Sequence, residues 1–109
     1  MTNKESQPIS DGELVRRAQA GELNAFEMLT GRYEERVYSL ALRMLHHQAD
    51  VEEVTQQTFL SALQNLAGFR DGVSFSAWLL NIATHATIKM IRKRKGLVNR
   101  SSEANNRGD

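Results

Sequence analysis

The stretch from Ser74 to Lys95 limits the possible folds of this chain most, because it combines an apolar stripe with a basic end. Its apolar side chains recur at steps of three and four residues, which places them on one side of a helix. Four consecutive cations, Arg92 to Lys95, then follow. A packed core cannot absorb so many charges, so we predict a helix that is anchored at its start and faces an anion at its end. The apolar stripe consists of Phe75, Trp78, Leu79, Ile82, Ala86 and Met90.

The charge of the chain is distributed unevenly along its length. Residues 1–88 carry 7 basic and 11 acidic side chains, whereas residues 89–100 carry 6 basic and no acidic ones. Such asymmetry indicates that a polyanion binds at one end of the protein. The alternative is a solvated helix terminus, where cations interact favourably with the helix dipole. Composition leaves both interpretations open.

Periodicity and capping signals predict three further helices. The first ends near Gly21, the second ends at two adjacent histidines, and the third ends near Ala67. No segment shows the sustained alternation of a strand, so the predicted fold is all-α, a compact bundle of about four helices over residues 10–96. Residues 1–9 are expected to be flexible, and residues 97–109 to be a disordered tail or truncated linker. The predicted starts are the capping pairs Ser10 with Glu13, Asn24 with Glu27, and Asp50 with Glu53.

Two segments outside the basic helix are candidate binding surfaces. The third helix clusters glutamate and glutamine, including Glu53, Gln56 and Gln57, which suits a hydrogen-bonding partner or an ordinary exposed face. The loop from Gly68 to Ser74 contains Phe69 and Arg70, and aromatic and cationic groups of this kind form sites for single-stranded nucleic acid. The ring of Phe69 could equally pack beneath the loop as part of the core.

The sequence lacks the motifs of common enzymes. It contains no cysteine, glycine-rich phosphate loop, HExxH or serine elbow, so we predict no catalysis, cofactor or metal site. His46 and His47 are adjacent and would point about 100° apart on a helix, so they are poorly placed to share a metal ion. No apolar run is long enough for a membrane span or a signal peptide, and we expect a cytoplasmic protein without membrane insertion.

Four segments, in this order, resemble region 2 of the bacterial sigma factors of the extracytoplasmic-function (ECF) group. They are DGELVRRAQAGELNAFEMLTGRY, DVEEVTQQTFLSAL, GFRDGVSFSAWLLNIA and the basic IRKRK, which together span about residues 11–95. The most specific parts are VxQxxF, starting at Val54, and FxxWLxxIA, starting at Phe75. Each motif is weak alone, but their order and spacing make the resemblance strong.

The resemblance implies two partners. The third helix is expected to bind a helical hairpin of the largest subunit of core RNA polymerase, and the loop and last helix to recognise and melt the promoter minus-ten element. It also implies an anti-sigma factor that covers these surfaces. The polymerase-binding positions are Glu53, Gln56, Gln57, Phe59 and Leu63. The DNA-binding positions are Phe69, Arg70, Asn81, Thr84, His85, Lys89, Arg92, Lys93, Arg94 and Lys95.

The sequence departs from the pattern of this family in several places. Gln57 stands where an acidic residue is usual, His85 where asparagine is common, and Lys89 where aspartate is common. These changes remove one charge expected to pair with polymerase and alter the groups near DNA. The family normally continues into a second domain, which binds the minus-thirty-five element. We expect this chain to be either an excised fragment or a shortened form that lacks it. The alternative function is a helical interaction module whose basic terminus binds acidic protein or membrane surfaces.

Overall fold

A computed structural model describes the backbone of residues 8–106 and the side chains of residues 8–96. Four helices make up this part of the chain, with no strand among the described residues, which confirms the predicted all-α bundle. The expectations for residues 1–7 and 107–109 lie outside the described part. The helices are α1 (Asp11–Gln19), α2 (Leu23–Met44), α3 (Gln48–Gln64) and α4 (Phe75–Asn106), with a short 3₁₀ turn at Leu66–Gly68.

Helix α1 begins where its capping signal predicts. The hydroxyl of Ser10 accepts a hydrogen bond from the backbone N–H of Glu13, at an N···O distance of 3.1 Å. The carboxylate of Glu13 accepts from Arg16 and Arg17 at 2.8 and 3.0 Å. Only the serine half of the predicted capping box is therefore present, because the two arginines on the next turn hold the glutamate.

The predicted N-caps of α2 and α3, Asn24 and Asp50, are wrong by two and three residues. Helix α2 begins at Leu23 after an extended Glu22, and α3 begins at Gln48 after an extended His47, with no side-chain cap at either residue. Asp50 instead lies inside α3 and is buried there. Most helical stability in proteins comes from packing of the apolar face, so packing can move a helix start away from a local capping signal.

Helix α4 continues past the point where the sequence predicts its end. The pattern predicts a collapse at Gly96, but the helical backbone extends to Asn106. A glycine ends a helix when it adopts a positive φ, and among the described glycines only Gly21 and Gly72 do so. At the start of α4, the Ser74 hydroxyl accepts from the backbone N–H of Ala77 at 3.2 Å.

The buried side chains form two clusters along the bundle. The larger cluster joins α1, α2 and the start of α4, and includes the fully buried Leu14, Leu29 and Leu79. The smaller cluster joins Leu45 and Val54 to Met90, farther along α4. Phe75, Leu79 and Met90 are buried and Trp78, Ile82 and Ala86 partly so, which confirms the apolar stripe predicted for this helix. Helix α4 is thereby packed along one side while its other side remains accessible.

Candidate functional site

The exposed side of α3 presents a mixed polar and apolar strip. Leu60 and Leu63 are 47% and 40% exposed, although leucine usually lies in the core. The opposite side of α3 packs inward through Val51, Val54, Thr58 and Ala62, which fixes the rotation of the helix about its axis. This strip consists of Glu53, Gln56, Gln57, Leu60 and Leu63, all exposed, and we call it the α3 strip.

The structure changes the interpretation of two α3 positions. Phe59 is only partly exposed and packs against the larger core cluster, so its ring contributes to packing, and a polymerase contact there stays a prediction. Leu60 is absent from the predicted set, although it lies four residues after Gln56 and three before Leu63. That spacing puts the three side chains on one helix face and is the signal that could have revealed Leu60.

The loop before α4 has a packed entrance and an exposed tip. The Phe69 ring lies edge-on to Phe75 and Trp78, with ring centroids 5.9 and 5.0 Å apart. Aromatic pairs in such geometry stabilise a core beyond the area they bury. The packing alternative therefore describes this ring, and a DNA contact at Phe69 stays a prediction. Residues 70–74 are exposed, and Gly72 makes the turn with a φ of 88°.

A residue of α1 holds the loop entrance and was not among the predicted site residues. The side-chain amide of Gln19 donates to the backbone carbonyls of Leu66 and Phe69, at N···O distances of 3.0 and 3.1 Å. These partners lie 47 and 50 residues away along the chain, so no local sequence pattern indicates the contact.

The outer side of α4 carries the predicted polar residues in a row. Asn81, His85 and Lys89 are exposed and four residues apart, so they follow one helix face for about 12 Å at 1.5 Å per residue. Thr84 is only half-buried, and its hydroxyl donates to the backbone carbonyl of Leu80 at 2.9 Å. Because its hydroxyl proton is used within the helix, Thr84 can only accept a hydrogen bond from a ligand.

The basic end contains four exposed cations, one of which, Arg94, is also held in an ion pair. Arg92, Lys93 and Lys95 are exposed. Arg94 donates through two nitrogens to the carboxylate of Asp50, at 2.7 and 2.9 Å. These bonds from Arg94 lower the pKa of Asp50 below its ordinary value. The assignment of Arg94 to phosphate stays a prediction, but a phosphate would have to compete with a buried carboxylate for it.

A groove of about 560 Å³ between α3 and α4 brings the two predicted residue sets together. Glu53 and Gln57 line it from α3, and His85, Lys89 and Lys93 line it from α4. Carboxylate and amide groups thus face cationic and imidazole groups across one depression. The positions assigned to polymerase and to DNA consequently lie on adjoining surfaces.

Within the described part of the chain, no three histidine, cysteine or carboxylate side chains cluster closely enough to hold a metal ion. None of the helices in that part is both long and apolar enough to cross a membrane.

Comparison with known proteins identifies the family. Residues 29–96 match the family model for sigma-70 region 2, which is more than half of the chain. The chain belongs to the sigma-70 region 2 family. Its relatives place it in the ECF group, whose members are transcription initiation factors and not enzymes.

Two curated relatives show how much of a full-length protein this sigma region 2 chain represents. It is 35% identical over 81 residues to the ECF RNA polymerase sigma factor SigW of Bacillus subtilis, covering 74% of this chain and 43% of the relative. It is 38% identical over 80 residues to the ECF RNA polymerase sigma-E factor of Escherichia coli, covering 73% and 41%. The chain therefore spans less than half the length of these relatives.

Two solved structures resemble this sigma region 2 chain. An engineered region 2 of sigmaE in complex with GTAAAA matches with a TM-score of 0.75 and 33% identity, over 80% of this chain and 90% of that one. CnrH in complex with the cytosolic domain of CnrY matches with a TM-score of 0.71 and 27% identity, over 88% and 65%.

Proposed function

We propose that this domain binds core RNA polymerase and recognises and melts the promoter minus-ten element. The observation that carries the proposal is a set of exposed positions at the loop tip (residues 70–74), at Asn81, His85 and Lys89, and at the basic end. The relative that binds GTAAAA supports it, because its fold spans 80% of this chain. Because polymerase and chromosome meet in the bacterial cytoplasm, we propose that location for the protein.

The division of chemistry along α4 suits a melted strand. Arg92, Lys93 and Lys95 hold phosphates, which supplies affinity without sequence information. Asn81, His85 and the acceptor of Thr84 lie nearer the loop, where they read base edges together with backbone groups at the tip. Extruding a base costs roughly a few kcal/mol, so modest contacts to an opened strand can hold it.

The α3 strip is the proposed polymerase surface. An exposed helix face with two leucines among glutamate and glutamine suits packing against a partner helix, with apolar anchors and a polar surround. Leu60 and Leu63 supply the anchors, and Gln56 and Gln57 supply amide donors and acceptors. Gln57 has no charge to offer an arginine of the partner, so this contact is weaker than a carboxylate would give.

A protein that covers these surfaces would keep the domain inactive. We propose an anti-sigma factor as this partner, supported by the similarity to CnrH, which was solved with the cytosolic domain of CnrY. Such a partner would compete with polymerase and DNA, because the groove between α3 and α4 adjoins both surfaces.

Selection from a pool of randomised short single strands tests the DNA half of the proposal, with GTAAAA as a reference. We expect the chain to enrich a preferred strand and to bind it more tightly than a scrambled strand of equal composition at fixed salt. Equal affinity for every strand would instead favour the helical module with a basic terminus.

Capture by core RNA polymerase tests the other half. Leu60→Ala should weaken binding to polymerase by more than about 1 kcal/mol, the cost that distinguishes the important residues of an interface. The melting temperature should stay nearly constant, because the side chain is exposed. Leu42→Ala on α2 is the matched control, since Leu42 is 53% exposed. Equal capture of both variants would refute the assignment of the α3 strip.

A further inference from the structure

The amide of Gln19 joins α1 to a segment far away in the sequence, the 3₁₀ turn and the start of the loop that follows it. It donates to the carbonyls of Leu66, the first residue of the 3₁₀ turn between α3 and the loop, and of Phe69, which follows that turn. Both partners are carbonyl oxygens, so only the NH₂ end of the amide can face them. An NH₂ group has two protons, which is enough for one bond to each carbonyl. Both of these hydrogen bonds from Gln19 are therefore made to the loop entrance.

The two contacts fix the place where the loop leaves the bundle. The carbonyl of Leu66 also accepts from the backbone N–H of Phe69 at 3.0 Å, so one oxygen serves the turn and the glutamine together. The ring of Phe69 is held on the other side by Phe75 and Trp78. Phe69 is therefore constrained through both its carbonyl and its ring, immediately before the exposed Arg70.

The tip beyond Phe69 has few constraints of its own. Its backbone contact is a long hydrogen bond from the N–H of Val73 to the carbonyl of Arg70, at 3.4 Å. The position of residues 70–74 relative to the outer face of α4 thus depends on how its two ends are held. Ser74 holds the far end by capping α4, and Gln19 and the aromatic cluster hold the near end.

We infer that Gln19 is a positioning residue for strand recognition. Its two hydrogen bonds hold the loop tip in place before binding, so that the tip and the outer face of α4 contact the same DNA strand. The inference rests on the proposed function and deepens it. A preset loop binds without first paying the entropy of being ordered, so the benefit appears in affinity for the strand whose bases are read. Binding through phosphates alone, at the basic end, does not need the loop.

Gln19→Met tests the inference, because methionine has similar length and helix propensity, is neutral, and lacks the donors. We expect faster amide hydrogen exchange at Phe69 and Val73 in the full chain. We also expect affinity for the strand selected by the wild type to fall by about tenfold, which corresponds to about 1.4 kcal/mol. Affinity for its scrambled counterpart should change by less than about twofold, since phosphate contacts are not sequence-specific.

Gln48→Met is the matched control, since the Gln48 amide donates only to Glu52 within the same helix among the described contacts. It should leave loop exchange and the ratio of the two affinities unchanged. A wild-type preference that survives Gln19→Met, or loop exchange that does not change, would overturn the inference alone. A wild type that binds both strands equally would overturn the proposed function and the inference with it. A parallel loss for both strands would show a purely structural role.

Discussion

Separate alanine substitutions of Lys93 and Arg94 distinguish the two roles that the basic end combines. Both are cations in one run of sequence, yet Lys93 is exposed at the groove and Arg94 is bound to Asp50. If DNA binding uses only cations that have no internal partner, the two substitutions should affect the salt dependence of binding very differently.

The expected difference follows from counterion release. Each phosphate contact to a single strand contributes about −0.7 to the slope of log affinity against log salt. Three contacts from Arg92, Lys93 and Lys95 give a slope of about −2.1, and a fourth from Arg94 would give about −2.8. Lys93→Ala should therefore flatten the slope by about 0.7. Between about 50 and about 200 mM salt, the variant should then lose about 2.6-fold less affinity than the wild type. Arg94→Ala should leave the slope nearly unchanged.

Fluorescence anisotropy of a labelled single strand, titrated over a series of salt concentrations, measures these slopes. The double variant should match Lys93→Ala rather than lose two contacts. If Arg94→Ala alone flattens the slope as much as Lys93→Ala does, then Arg94 leaves Asp50 for a phosphate on binding. That result would refute the reasoning that the ion pair takes this arginine out of the DNA site.

Three further predictions concern individual contacts. Asp50→Asn should steepen the salt slope by about 0.7 by releasing Arg94. The pKa of Asp50 is lowered in the folded protein, so the stability that this residue contributes is complete above its ordinary pKa of about 3.9. That stability is lost as the pH falls through the folded pKa. The melting temperatures of wild type and Asp50→Asn should therefore converge in acid. Tyr33→Phe removes a hydrogen bond donated to Asp11 and should cost about 1.5–3 kcal/mol in urea unfolding. Phe69→Ala should cost about 2–4 kcal/mol through lost packing, and weaker strand binding at unchanged stability would show instead that the ring stacks on bases.

The helix faces were predictable because they depend on local periodicity. The stripe of α4 and the outward glutamines of α3 repeat at the helical step, so the sequence defines both sides of each helix. Exposure of Asn81, His85 and Lys89 follows from the same spacing. Helix ends were less predictable, as the starts of α2 and α3 and the continuation of α4 past Gly96 show. An end depends on how well the next turn packs, which capping residues influence but do not control.

The sequence by itself determined the helical class, the apolar side of each helix, the basic end and the resemblance to sigma region 2. Tertiary structure alone decided which basic residue is paired, which aromatic is packed and what holds the loop. The pair of Asp50 with Arg94 spans 44 residues, and the bonds of Gln19 span 47 and 50. Contacts at such separations arise from the packing of whole helices, and a pattern of neighbouring residues contains no information about which side chains that packing brings together.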